Sequence, residues 1–115
     1  EPGEKLEVAG NLKVTGTITE LSTRKVKKNI RSLGSQLNKI KKLNPVSYRR
    51  KEAKDNKKEL GFISEEVREV YPELVNGEGV NYSKMVSILV GAVKELTEKI
   101  EQQEKQIKDL KRMVK

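Results

Sequence analysis

The chain has 115 residues, of which 34% are apolar, 37% charged and 3% aromatic, with no Trp, Cys or His and a net charge of +8. Such a composition allows one small domain at most, with a core that needs help from other chains to be stable. It excludes a disulfide framework, a thiolate metal site and every form of histidine acid–base or metal chemistry.

The opening "EPGEKLEV" reads as a piece of something longer, so any targeting signal is expected upstream of it, and no apolar run approaches the roughly 18 residues that span a bilayer. Residues 5–19, "KLEVAGNLKVTGTIT", alternate apolar and polar positions at Leu6, Val8, Leu12, Val14 and Ile18 and are punctuated by Gly10-Asn11 and Gly16. This predicts two short strands about a turn. The pieces "LEVAGN" and "LKVTGT" echo each other, as in repetitive fibrous β structure. Two such strands are marginal alone, so pairing with upstream sequence or with identical chains is expected.

Between Arg24 and Lys58, fourteen Lys and Arg face only Glu52 and Asp55, a local charge of +12. A patch of this strength is an electrostatic footprint for a polyanion. Tyr48 is its only aromatic, however, and no stacking platform, zinc finger or RNP-like motif accompanies it, so a solvated face is the expectation. Within the basic region, "LGSQLNKIKKL" places Leu33, Leu37, Ile40 and Leu43 at helical spacing after a Ser32 N-cap, and Asn44-Pro45 stops the helix. "PVSYRRK" and "ELGFIS" then read as two strands joined by the polar tip "EAKDNKK". In "SEEVREVYPEL", Ser64 and the acids behind it suit a helix N-terminus and Pro72 ends the helix. Asn76-Gly77-Glu78-Gly79 marks a turn.

The C-terminal third carries the clearest pattern. An a series of Val86, Val93, Ile100, Ile107 and Val114 interleaves with a d series of Leu89, Leu96, Gln103 and Leu110 without a slip, which predicts a coiled-coil helix over about 83–114. β-Branched residues at a with Leu at d favour two strands, but the polar layer at Gln103 leaves three open. The fold class expected is α+β: N-terminal β stem strands, a small mixed body with short helices and a β-hairpin, and a long helix forming the coiled coil.

Several blocks in this order resemble the C-terminal intramolecular chaperone domain of phage tailspikes, tail fibres, neck appendages and endosialidases, a self-cleaving peptidase family that also occurs in the membrane-bound myelin regulatory factor. They are "STRKVKKNI", "KKLNPVSYRRK", "LGFISEEVREVYPELV" and "GVNYSKMVSILVGAVKEL", covering residues 22 to about 97. The first is similar to the family's Ser-Asp-x-x-x-Lys-Lys-Asn/Asp-Ile junction, and the preceding segment to the β stem that leads into such domains. The resemblance implies residues 1–21 as the end of a fibre stem and 22–115 as the chaperone domain. It also implies a homotrimer that assembles the upstream fibre or tailspike segment of the same chain, made in the host cytoplasm as a virion tail or appendage precursor. Cutting at Leu21–Ser22 would then release the chaperone. Carried over by position, Ser22 matches the nucleophile, Lys27 the general base and Glu66 an acidic position of the family block. The sequence departs at Thr23, where the pattern more often has Asp, and at Leu21, where a small or polar residue is commoner; slow or conditional cutting is expected.

The chemistry has its own logic. Without histidine, only a neutral lysine or a carboxylate can take the proton of a serine hydroxyl near neutral pH. Arg24, Lys25 and Lys28 disfavour a further positive charge at Lys27, and burial at a chain interface would act in the same direction. Yet a separation of five puts Ser22 and Lys27 on opposite faces of a strand and about 140° apart on a helix. The backbone must bend between them, or the dyad must form between chains. The expectation is an intramolecular chaperone acting as a single-turnover self-peptidase, with no cofactor, metal, membrane or nucleic-acid partner. A non-cleaving trimerisation module of the same fold is the alternative, and a polyanion-binding module using residues 24–58 a further one.

Overall fold

A computed structural model describes residues 5–114 in two compact units divided between Arg31 and Ser32. Residues 1–4, the start of the expected stem, lie outside the described residues.

In the first unit the expected β stem strands do not form. Residues 5–21 carry no strand, and Leu6, Leu12 and Ile18 stand about 70% or more exposed. The physical reason is the one that makes isolated hairpins marginal: two short strands in one chain bury too little apolar surface to offset the entropy of ordering them. Among the described residues of this unit the only regular element is a 3-10 turn at Arg24–Val26.

The second unit begins with a helix shorter than its apolar spacing predicts. Helix α1 spans Leu37–Ile40, with Gln36 rather than Ser32 at its N-cap. Residues 32–36 stay irregular because their polar groups find partners elsewhere. The Ser35 hydroxyl donates to Glu95 Oε2 at 2.7 Å and the Gln36 N–H donates to Glu95 Oε1. The Gln36 side chain folds back to donate to the Gly34 carbonyl at 2.9 Å.

The hairpin follows as expected. Strands β1 (Val46–Tyr48) and β2 (Glu59–Gly61) pair antiparallel, with Val46 opposite Gly61 and Tyr48 opposite Glu59. Residues 49–58 form its tip, where Asn56 takes φ +50°, a left-handed conformation that Asn tolerates better than most residues. Helix α2 (Ser64–Val70) ends one residue short of Tyr71, and Pro72 opens a 3-10 turn, Pro72–Leu74. Strands β3 (Val75–Asn76) and β4 (Gly79–Val80) close a tight second hairpin. Gly77 sits there at φ +60°, and the Arg68 guanidinium donates to its carbonyl.

Helix α3 spans Tyr82–Met113, 32 residues or about 48 Å. Asn81 caps it, its side chain accepting the Lys84 N–H at 3.1 Å. The core is built where α2, the 3-10 turn and the first turns of α3 meet: Val67, Tyr71, Leu74, Met85 and Ile88 are buried, with Ile40, Leu43, Phe62, Val70, Val75 and Val80 packed around them. Ala92 continues the buried side of α3. This side lies roughly 90° around the helix from the a and d series, which stays open: Val86, Leu89, Val93, Leu96, Ile100, Ile107, Leu110 and Val114 are all exposed, as is Gln103. From residue 96 to Met113 every position is exposed. No helix among the described residues is long and apolar enough to cross a membrane.

Candidate active site

Ser22 and Lys27 meet. The Lys27 Nζ lies 2.5 Å from the Ser22 Oγ, within one chain, so the bend required by their spacing exists. The 3-10 turn supplies it. Thr23 is extended at φ −70° and ψ 149°, three residues coil tightly, and Lys27 is extended again at φ −117° and ψ 145°. Two backbone bonds close the turn, Val26 N–H to the Thr23 carbonyl and Lys27 N–H to the Arg24 carbonyl, both at 3.2 Å. The Thr23 hydroxyl accepts the Lys25 N–H at 3.5 Å. Two residues past Lys27, Asn29 takes φ +56° and redirects the chain, again with a residue suited to the left-handed region.

The contact is a hydrogen bond between an amine and a hydroxyl. The ammonium form donates to Oγ, whereas the neutral amine accepts the hydroxyl proton and leaves Oγ the better nucleophile. Ser22, Lys27 and Leu21 are all exposed in the single chain, so the bond ahead of Ser22 is open to water. The burial at a chain interface considered for Lys27 is absent from the isolated chain.

Glu66 belongs to the second unit, exposed on the first turn of α2. Its neighbour Glu65 accepts the Ser64 hydroxyl at 3.1 Å, and a backbone N–H, this hydroxyl and Arg68 hold that carboxyl below its ordinary range. The a and d residues of the predicted seam share one side of α3, as their spacing requires.

Three features escape a reading of the sequence. Thr23 is the cap of the turn that aims Lys27. Glu95 brackets the entry to α1 from 59 residues away in sequence; hydrogen bonds from Ser35 first, then from the Gln36 N–H, with smaller help from Leu37 and Lys99, hold its carboxyl below the ordinary value. Tyr71 donates to the buried Gln36 Oε1 at 2.8 Å, and burial, reinforced by Glu73 and Glu95, pushes its phenol up. Only Thr23 carries a local signal, a threonine opening a tight turn.

No group of three or more acidic side chains that could hold a metal gathers among the described residues. Residues 22–76, from Ser22 through the dyad, both β1 and β2, and α2, match the peptidase family described as chaperone of endosialidase. Over this stretch, a little under half of the chain, the sequence is similar to that family of endosialidase chaperones.

Proposed function

We propose that this domain assembles three copies of an upstream fibre or tailspike segment and is then released by cutting its own chain at Leu21–Ser22. The observation that carries the cutting step is the 2.5 Å approach of Lys27 Nζ to Ser22 Oγ. The neutral Lys27 amine takes the Ser22 hydroxyl proton as Oγ bonds to the Leu21 carbonyl carbon, closing a five-membered ring. The Leu21–Ser22 C–N bond then breaks, the proton passes from Lys27 to the departing Ser22 amine, and the Leu21 acyl group is left as an ester on Oγ. One water hydrolyses this ester, giving a Leu21 carboxylate and a fragment that begins with Ser22 and regains its hydroxyl. The lysine returns unchanged, and each chain reacts once.

Assembly has a physical rationale of its own. Interchain β pairing is slow and exposes sticky edges while it waits. A helical bundle forms faster and holds three stems at high effective concentration, so their registration becomes nearly intramolecular. Removing the bundle leaves a fibre protected by its unfolding barrier.

The test is intact-mass measurement over days on protein carrying its full stem. The expected product starts at Ser22, forms faster as pH rises and the lysine loses its proton, disappears in Ser22→Ala, and slows about 10²–10⁴-fold in Lys27→Ala. Both variants should assemble as the wild type does. Wild-type protein that stays intact at every pH would assign the domain to the non-cleaving trimerisation module, a reading favoured by the exposure of both residues in the single chain.

A further inference from the structure

We propose that Thr23 is the positioning residue of the self-cleavage site, holding Lys27 against Ser22 by capping the turn between them; the proposal rests on the self-cleavage reading above. Five residues of extended chain would carry Lys27 about 16 Å from Ser22 and onto the other face. The observed contact exists because Arg24–Val26 coils into a single 3-10 turn. That turn contains no buried residue, so no core packing anchors it. Three local bonds hold it, and Thr23 accepts two of them: its carbonyl takes the Val26 N–H at 3.2 Å and its hydroxyl takes the Lys25 N–H at 3.5 Å. The third runs from Lys27 itself to Arg24.

A free N–H at the start of such a turn is satisfied by water in any conformation, whereas the Thr23 hydroxyl satisfies it only in the coiled one. The hydroxyl therefore biases the chain toward the conformer in which the amine and Oγ touch. Thr23 does not touch the reacting atoms. Its effect is on how often the dyad is assembled and not on how readily Lys27 gives up its proton. Replacing it should lower the rate at every pH by one factor and leave the shape of the pH profile unchanged.

The experiment measures formation of the Ser22-terminated fragment by mass spectrometry across pH in protein with its full stem. It compares wild type with Thr23→Val, which keeps the shape and removes the acceptor, and with Thr23→Ser and Thr23→Asn, which keep a neutral cap. Thr23→Val should cleave about 3- to 30-fold more slowly, the population loss expected from a removed cap, with the pH of half-maximal rate unmoved. Ser and Asn should restore the rate to near wild type, and sedimentation should give one assembly state for all four proteins. Wild-type-like cleavage by Thr23→Val overturns the proposal, as does Thr23→Ser that is as slow as Thr23→Val. A shifted pH profile in Thr23→Val overturns it too, because the residue would then act on the proton affinity of the lysine. If wild type itself yields no fragment at any pH, the self-cleavage reading falls and this one with it; failure confined to the variants removes only the role of Thr23.

Discussion

Single side chains hold the chain at two of its irregular segments. At the junction, Thr23 stands where the resembled family pattern more often has Asp, and both are residues that cap turns and helices through a side-chain oxygen. The substitution therefore keeps the capping function while removing a negative charge beside Lys27. In the body, Glu95 replaces the missing first turn of α1 by accepting from the Ser35 hydroxyl and the Gln36 N–H. Those donors favour the carboxylate, and so the folded protein holds Glu95 below the ordinary value of 4.5. The stability this provides is complete above that ordinary value and is lost as pH falls through the lower folded one. Glu95→Gln should melt at a lower temperature than wild type at pH 7, and the two should converge in acid, where wild-type Glu95 is itself protonated. Thermal melts from pH 7 to pH 2 give the answer; a constant gap between the two curves would mean that the charge of Glu95 contributes nothing.

Among the elements, burial separates what stabilises the body from what is left for a partner. Leu74, in the turn between α2 and β3, is 1% exposed, while Leu60 at the middle of β2 is 79% exposed. Leu74→Ala should cost about 2–5 kcal/mol, lost transfer energy plus an unfilled cavity, whereas Leu60→Ala should stay within about 0.5 kcal/mol in the single chain. Chemical denaturation of the two variants, made on a background that does not assemble, checks the contrast. Gly61 has a separate constraint. A Cβ there would meet the Tyr82 hydroxyl at 2.8 Å and Tyr48 Cε1 at 3.3 Å, so the glycine leaves room for Tyr82 to accept the Phe62 N–H at 3.4 Å and join the hairpin to the start of α3. Tyr82 also occupies the d position one heptad before Leu89, and is half exposed. The d series thus starts on the body and continues along the helix.

For the whole molecule, the decisive feature is the part of α3 that is exposed at every position. In proteins most helical stability comes from packing an apolar side, and residues 96–113 are exposed throughout. Ile100 and Ile107 each leave about half their surface in water, in register with the heptad that defines a seam. On the proposed reading three copies bury that seam together. Replacing Ile100 and Ile107 with Asp should then give monomers of low thermal stability, because each carboxylate would have to enter an apolar layer without a partner. Sedimentation equilibrium at micromolar concentration decides it: a wild-type monomer removes the assembly reading, and a wild-type dimer removes the trimer. The exposed stem belongs to the same account. Leu6, Leu12 and Ile18 carry the alternation of strands but stand exposed in the single chain, which is the condition a bundle of three would relieve.

What the sequence determined by itself is whatever local periodicity and capping dictate. The heptad of α3, the β1–β2 hairpin with its polar tip, α2 between Ser64 and Pro72, and the Gly77 turn were all legible, because each needs only neighbours a few residues away. The candidate pair Ser22 and Lys27 came from the family resemblance, because the absence of histidine by itself leaves either a lysine or a carboxylate as base for a serine. Periodicity misled where the outcome depended on partners: residues 5–19 have a strand pattern without a second strand to complete it, and Leu33 to Leu43 have a helical pattern shortened at its start by Glu95. Spacing alone could not say whether Ser22 and Lys27 meet, since it ruled out a straight strand and a straight helix and left the bend open. Tertiary structure and one small turn decided these points, because the carboxylate that brackets α1 lies 59 residues away from it and the turn that joins the dyad is held by three hydrogen bonds whose free energy no residue pattern displays.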